Sequence, residues 1–405
     1  MPGRVRWCAL LLLLAAGGGA AAEEKYAARE QVGRPVQAAE QLRKQKKFKE
    51  ALAKLGEADA IPKKTPYEIY VIAATRAVVS LETSDYPETI KALETVLSTG
   101  VLQPQEAVKR LHTLAQLYYQ TQAYPKVIDY ANRYYKQEGK DREPRLLMAH
   151  AYYQQNDFAN AAKTSLDVLG DNEKSGKPVD EAVLRLLAIA EYRQQNNAGY
   201  IDALARLVAV SAKKEDWAEL LAAVQKKPGF AGRLALDVAR LRAAIGIMDR
   251  PEQYMEAAQL ALQLDLPGSA KSFLDRGYAA GVLGKGAGSE RQQRLAEMAS
   301  RQAEEDARAL AQLSKEADAE NNGLRAIRLG EAYSSYARYG EAIAAFEHGI
   351  RKGGLKYPGD ARLHLGLALL AAGERAKAKD LLGSLTATDG TQELARLWLI
   401  QAGLK

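Results

Sequence analysis

Histidines and carboxylates are the side chains of this sequence whose types would suit metal binding or acid–base catalysis. The chain of 405 residues has four histidines, scattered at positions 112, 150, 348 and 364. His112 and His150 are the candidates for a metal, but no third or fourth ligand stands at a spacing suited to zinc. Carboxylate pairs such as Glu304 and Glu305 lie in the strongly charged helices predicted from Glu290 to Ala319, where solvated helix faces are expected. We therefore predict no metal site.

Motifs for nucleophilic and phosphate chemistry are also missing from the sequence. It contains no Gly-x-Ser-x-Gly elbow and no His-Glu-x-x-His pattern, and its single cysteine, Cys8, lies near the N-terminus. Gly284-Lys285-Gly286 resembles a phosphate loop only in part, because no strand precedes it and no Gly-Lys-Ser/Thr ending follows. These observations predict a protein that is not an enzyme and has no cofactor.

The N-terminal residues 1–22 have the three parts of a secretory signal peptide. Arg4 and Arg6 form a positive start, residues 9–16 form an apolar core, and small residues follow. The apolar stretch is too short for a stable membrane anchor. We expect cleavage after Ala22, which would place the protein in the periplasm and remove its only cysteine; retention of the segment is the alternative.

The charge of the chain is moderately basic. Its formal net charge is +7, with 57 basic and 50 acidic residues. A basic run between positions 43 and 54 either contacts anionic lipid, peptidoglycan or an acidic partner, or is a solvated helix face. A secreted chain is a poor candidate for nucleic-acid binding, so no nucleic acid is expected as a partner.

The elements that must position any binding residues repeat along the chain. Five residues recur as similar types 34 positions later. They are Leu114, Ala115, Tyr118, Tyr124 and Val127, followed by Met148, Ala149, Tyr152, Phe158 and Ala161. This period is that of the tetratricopeptide repeat, in which two antiparallel helices bury their apolar face only against neighbouring repeats. In such a pair, Tyr124 and Phe158 would each begin a second helix.

Composition and pattern together predict an all-α protein. The sequence is 47% hydrophobic and 26% charged, it is rich in good helix formers, and runs that alternate like strands are nearly absent. We predict a right-handed α-solenoid of tandem tetratricopeptide-like helix pairs, about 20 helices in all, that ends in a C-terminal capping helix.

Interruptions of the repeat suggest three groups of repeats. N-terminal repeats would occupy residues 23–169, degenerate middle repeats 179–280, and C-terminal repeats with the capping helix 289–405. A polar loop is predicted over 170–178, and the glycine-rich stretch 281–288 is a candidate hinge.

The first helix of each pair should line a concave groove. Counting from Ala115 and Ala149 places nine residues on this groove. They are Lys109, His112, Gln116, Tyr119, Gln120, Leu146, His150, Tyr153 and Gln154. Tyrosine and histidine present a flat apolar body with a hydrogen-bonding tip, which suits the binding of a peptide. The alternative is that Tyr119 and Tyr153 only cover the helix surface.

The last repeat would turn leucines toward the groove. The same count from Gly366 places Leu363, Leu367 and Leu370 on that side, where exposure would be a liability. Either the C-terminal helix, with its own leucines at positions 394, 397 and 399, folds over them, or a partner does.

The pattern resembles the tetratricopeptide repeat family across residues 34–384. More narrowly, it is similar to the secreted tetratricopeptide proteins described as components of TonB energy-transduction systems in Gram-negative bacteria. This similarity lies in residues 114–130, 260–283, 353–366 and 395–399. It implies a periplasmic accessory to a complex of the TonB–ExbB–ExbD type, with protein partners such as TonB-, ExbB- or ExbD-like proteins and no catalytic residues.

Two other functions stay open from the sequence. One is an adaptor for another envelope process, such as polysaccharide export, pilus assembly or outer-membrane assembly. The other is a protein that binds or hydrolyses peptidoglycan. The sequence leaves the oligomeric state open as well.

Overall fold

A computed structural model of the protein describes residues 27–211, 213–286 and 288–404. These residues form twenty α-helices and one short 3₁₀ helix, with no strand among them, so the all-α prediction is confirmed. The predicted signal peptide lies outside the described residues. The chain divides into two compact units, of which the first ends at Thr164 and the second begins at Ser165. The three groups of repeats drawn from the sequence stay a prediction.

The first unit consists of helices α1 to α7 and the beginning of α8. Their bounds are α1 Glu30–Lys44, α2 Phe48–Asp59, α3 Pro66–Glu82, α4 Tyr86–Ser98, α5 Pro104–Gln120, α6 Tyr124–Lys136, α7 Glu143–Gln154 and α8 Phe158–Lys174. As predicted, Tyr124 and Phe158 each begin the second helix of a pair. Ala115, Val127 and Ala149 are fully buried, because the two helices of a pair and its neighbours approach closely at these small residues.

The second unit continues with twelve further α-helices. Their bounds are α9 Glu181–Arg193, α10 Asn197–Ser211, α11 Lys214–Gln225, α12 Ala235–Ile245, α13 Pro251–Gln263, α14 Pro267–Ala279, α15 Ser289–Ala319, α16 Leu324–Ser335, α17 Tyr339–Lys352, α18 Pro358–Ala371, α19 Arg375–Gly383 and α20 Thr391–Gln401. The 3₁₀ helix, Gly232–Leu234, directly precedes α12. The segment between α10 and α13, read from the sequence as degenerate, thus holds two helices without the short connection of the regular pairs.

One turn geometry joins the helices of every regular pair. Each connection has three residues, and the middle one adopts a left-handed conformation with φ between 57° and 83°. These middle residues are Lys46, Ser84, Gln122, Asn156, Gln195, Asp265, Ala337 and Gly373. Seven of the eight are not glycine, although this conformation disfavours residues with a Cβ. The turn within each pair therefore has one backbone conformation, which the residue types at the turn do not predict. The helix pairs stack as in a tetratricopeptide-like solenoid.

Two predicted details were wrong. Residues 170–174 continue α8 rather than opening a polar loop, and Leu169 and Asn172 in this part of the helix are buried. The charged region from Ser289 to Ala319 is one helix of 31 residues rather than several. Its buried residues, including Leu295, Ala299 and Ala303, follow a helical spacing along one stripe, so the helix needs no break to bury its apolar side.

The C-terminal helix α20 closes the second unit. It packs against α18 as predicted, and it also contacts α10 and α12. Leu363 of α18 is fully buried, as are Leu394 and Leu397 of α20. The capping helix thus covers part of the leucine face and joins the last repeats to the middle of the chain.

Candidate functional site

The nine residues predicted to bind a partner lie on two first helices, α5 and α7, and we call them the α5–α7 surface. Lys109, Gln120 and Gln154 are exposed, and the other six side chains are half-buried. The structure therefore places these residues on neighbouring helices of one unit. Whether they bind a partner stays a prediction.

Polar contacts join the two helices at one end of this surface. His112 lies 3.3 Å from Glu143 through Nε2 and 3.4 Å from Asp141 through Nδ1. Gln116 donates from its amide to Glu143 Oε1 at 2.9 Å. His112 and Gln116 are thus occupied in holding the beginning of α7 against α5, a role that the sequence count did not predict.

Aromatic contacts hold the side chains at the other end of the α5–α7 surface in place. The Tyr119 ring lies edge-on to Tyr124, at 6.1 Å between centroids, and to His150, at 6.4 Å. Tyr153 makes a similar contact with Phe158 at 5.6 Å. Burial raises the pKa of Tyr119, so its phenol stays a hydrogen-bond donor at neutral pH. Fixed rings beside exposed amide side chains are suited to binding a peptide, because little rotamer freedom is lost on contact.

Four charged side chains form a buried network in the second unit. His364 Nε2 lies 3.0 Å from Asp237 Oδ1, and His364 Nδ1 pairs with Glu331 Oε1. Arg240 contacts the same two carboxylates, at 3.0 Å from Asp237 and 2.7 Å from Glu331. The network joins α12, α16 and α18, which are far apart in the sequence.

Burial and charge act against each other on the pKa values of this network. Burial alone would lower the pKa of His364, but the carboxylates of Glu331 and Asp237 outweigh it and raise the pKa to about 10. Burial would raise the pKa of Glu331, yet Arg240 and His364 hold it well below its usual range. His364 is therefore a cation at neutral pH, and Glu331 is an anion.

A second cluster fixes the end of the chain against the segment before α12. Arg233 pairs with Asp360 at 2.7 Å and with Asp389, and its guanidinium stacks on the Tyr357 ring at 3.9 Å. The Ala231 N–H donates to the Asp389 carbonyl at 2.8 Å. These contacts hold α18 and the loop before α20 in place beside α12.

Between these elements lies a cavity of about 700 Å³, which we call the second-unit cavity. Its wall comes from α12, α14, α16, α18 and α20, with one residue each from the beginnings of α17 and α19. The charged network forms part of the wall through Arg240, Glu331 and His364. Arg276 and Arg375 line it as exposed residues.

Three buried polar atoms on this wall have no hydrogen-bond partner within the described chain. They are Ser334 Oγ, Trp398 Nε1 and Glu331 Oε1, of which the Glu331 oxygen has an ion-pair partner, His364. An unsatisfied buried donor or acceptor costs about 1–3 kcal/mol, so native proteins rarely retain one without a ligand or water to satisfy it. Their presence on one wall marks the cavity as the polar site that sequence reasoning missed.

The sequence held one partial signal for this cavity. The sequence predicts that Leu367 and Leu370 must be covered by a helix or a partner. In the structure both are half-buried and line the cavity. The sequence did not predict the polar residues of the cavity wall, because they are spread from Arg240 to Trp398 and no fixed repeat spacing connects their positions.

Among residues 27–211, 213–286 and 288–404, no helix is both long and apolar enough to cross a membrane. The same residues contain no group of three or more histidine, cysteine, aspartate or glutamate side chains arranged to hold a metal ion.

By sequence, the chain matches no protein-family profile and no curated protein. Solved structures with similar helical repeats exist. A tetratricopeptide repeat protein from Parabacteroides merdae is 11% identical with a TM-score of 0.33, and the match covers 84% of this chain and 100% of that one. The C-terminal part of a TPR repeat-containing protein from Cytophaga hutchinsonii is 14% identical with a TM-score of 0.31, covering 80% and 98%. Naa15/Naa10 bound to HypK-THB is 17% identical with a TM-score of 0.33, covering 92% and 68%. The resemblance is to helical-repeat architecture, and no activity or partner follows from it.

Proposed function

We propose that this protein is a non-catalytic scaffold that binds a protein partner through the α5–α7 surface. The observation that carries the proposal is the pair of ordered rings, Tyr119 and Tyr153, set on neighbouring first helices beside the exposed amides of Gln120 and Gln154. Aromatic side chains held in place by neighbouring rings are the kind of residue that dominates binding energy at protein interfaces.

In its finer form, the proposal places the scaffold in the periplasm as an accessory of a TonB-type transport system. Support comes from the sequence alone: the signal-like residues 1–22 and the resemblance to secreted tetratricopeptide proteins of TonB systems. The partner would be a TonB-, ExbB- or ExbD-like protein, and the scaffold would assist energised uptake across the outer membrane.

Binding of purified periplasmic domains tests both forms of the proposal. Isothermal titration calorimetry would measure the affinity of the full-length protein for the periplasmic domains of TonB and of an ExbD-like protein. Tyr153→Ala should weaken binding by about 1–2 kcal/mol, or roughly 5- to 30-fold, if the ring contacts the partner. Tyr192→Ala is the matched control, since Tyr192 is 62% exposed and lies outside the α5–α7 surface.

The outcomes separate the two levels of the proposal. Equal loss of affinity in both variants, or none in either, would contradict the surface assignment while leaving a scaffold possible at another face. If neither domain binds the unaltered protein, the TonB role is wrong. Circular dichroism melting of Tyr153→Ala is needed alongside, because the substitution also removes the contact with Phe158.

A further inference from the structure

The second-unit cavity has the dimensions of a binding site. Its volume of about 700 Å³ lies within the range of roughly 300–1,000 Å³ that is typical of pockets for small ligands. All of its wall belongs to the second unit, so it is independent of the α5–α7 surface. It combines a polar side with an apolar side, as ligand pockets commonly do.

Two wall atoms point to a ligand that supplies oxygen. The indole Nε1–H of Trp398 is a donor only, and it is buried without an acceptor in the described chain. The Ser334 hydroxyl, on another helix, is buried and equally unpartnered. Since a hydroxyl can donate to the same kind of acceptor as an indole N–H, an oxygen-bearing ligand would satisfy both atoms.

The charged side chains of the cavity wall determine whether the ligand oxygen is anionic or neutral. Arg240, Arg276, Arg375 and protonated His364 line the cavity, and the carboxylate of Glu331 is the acid of the wall. Asp237 stands behind the wall as a second carboxylate, so four cationic groups face two anionic ones. Arg276 has no ion-pair partner within the described residues, and the Arg375 guanidinium donates to the carbonyl of Ala402. An excess of positive charge favours an anion over a neutral carbonyl.

The apolar side of the cavity indicates that the bound anion carries an apolar group. Leu367 and Leu370 of α18 lie half-buried on its wall, and Phe273 of α14 lies with them. Covering these side chains with an apolar group would remove their surface from water. A bare inorganic anion would leave this side of the cavity unfilled.

We propose that the second-unit cavity binds a carboxylate attached to an apolar group. Two sources share this chemistry: the C-terminus of a peptide that ends in an aliphatic residue, and the head of a fatty acid. The carboxylate would accept from Trp398 and from the arginines, and the apolar group would pack on Leu367 and Leu370. The site is additional to the scaffold function proposed above and does not depend on it.

Calorimetric titration of the full-length protein with three probes tests this site. The probes are acetyl-Ala-Leu-Leu with a free carboxyl terminus, the same peptide as its C-terminal amide, and octanoate. We expect the free acid to bind and the amide to bind at least about tenfold more weakly, because only the acid carries the charge that the arginines recognise. Binding of octanoate at least as tight as that of the peptide acid would support the site and identify the fatty-acid source.

Two results would overturn the proposal. One is equal binding of the acid and the amide, which would show that the carboxylate is not recognised. The other is the absence of measurable binding for all three probes at millimolar concentration, as expected if the cavity holds only water.

Variants locate the binding event in the cavity. Trp398→Phe removes the N–H while keeping an aromatic ring, and Arg276→Gln removes an exposed charge. Each should weaken the binding of the acid about fivefold or more, and Arg276→Gln should leave the weak binding of the amide unchanged, because the amide carries no charge. Arg362→Gln is the matched control, because Arg362 is an exposed residue of α18 that does not line the cavity. Unchanged affinity of both cavity variants would place the bound probe elsewhere and refute the assignment.

Discussion

Titration of His364 gives the most quantitative test of the second unit. Its imidazole is held between Asp237 and Glu331, with a pKa raised from an ordinary value near 6.5 to about 10. The unfolded chain loses this proton near pH 6.5, whereas the folded chain keeps it until about pH 10. Between these values the folded state binds more protons, so its stability must fall as pH rises. The full contribution is present below pH 6.5 and is gone above pH 10.

The size of this effect follows from the pKa shift. One pKa unit corresponds to about 1.4 kcal/mol, so the shift represents a few kcal/mol for a side chain that is 16% exposed. Replacement by glutamine keeps a donor for one carboxylate but removes the positive charge. His364→Gln should therefore lower the free energy of unfolding by about 2–4 kcal/mol at pH 6. The two proteins should converge as pH approaches 10.

Urea unfolding followed by tryptophan fluorescence measures this directly. Trp217 and Trp398 are the tryptophans of the described chain, and both lie in the second unit, so the signal reports the unit that holds the network. Linear extrapolation at several pH values between 6 and 10 gives the free energy of unfolding for each protein. His348→Gln is the matched control, since His348 is more exposed and lies 3.6 Å from Asp318 alone. Parallel pH profiles of the unaltered protein and His364→Gln would refute the reasoning.

The helix turns and close helix contacts make two further predictions. Ala337→Gly should stabilise the protein by about 0.5–1 kcal/mol in thermal unfolding, because Ala337 has a φ of 59°, which favours glycine. Gly373→Ala should destabilise the protein by a similar amount or more, because Gly373 has a φ of 83°. A loss of stability in Ala337→Gly would contradict the turn geometry. Gly330→Ala should lower stability by about 1–3 kcal/mol, since its Cβ would overlap the Phe346 ring. Gly56→Ala, a helical glycine with open space around it, should raise stability by up to about 1 kcal/mol; an equal effect of both changes would mean that helix propensity, not packing, decides.

Local sequence patterns predicted the helix pairs well. The 34-residue recurrence placed the beginnings of α6 and α8 correctly at Tyr124 and Phe158, because aromatic and small residues at these positions pack only in one register. Gly330 and Gly366 also have one physical reason in common: each lies where a second helix brings Phe346 or Leu382 against the backbone. Contacts of this kind are local, so their spacing survives in the sequence.

The sites depend on contacts that a repeat count does not contain. The sequence predicts His112 and Gln116 on an open groove. In the structure, His112 pairs with the beginning of α7 and Gln116 hydrogen-bonds to it. The loop that connects α6 to α7 does not follow the repeat spacing, so the sequence count could not predict these contacts. The second-unit cavity joins Arg240 to Trp398, because α20 folds back on α12. Ion pairs such as Arg233–Asp389, whose partners are 156 residues apart, hold the loop before α20 in this position. A charged residue in a helix gives no indication of such a distant partner.

Photo-crosslinking in the living cell is the most direct test of the central claim, that the α5–α7 surface binds a protein partner. A photoreactive amino acid at position 154 would stand on this surface, where Gln154 is exposed. The same amino acid at position 362 serves as the control. We expect a TonB-, ExbB- or ExbD-like protein, identified by mass spectrometry, to be captured from position 154 and not from position 362. Capture of the same proteins from both positions, or of none from position 154, would contradict the claim.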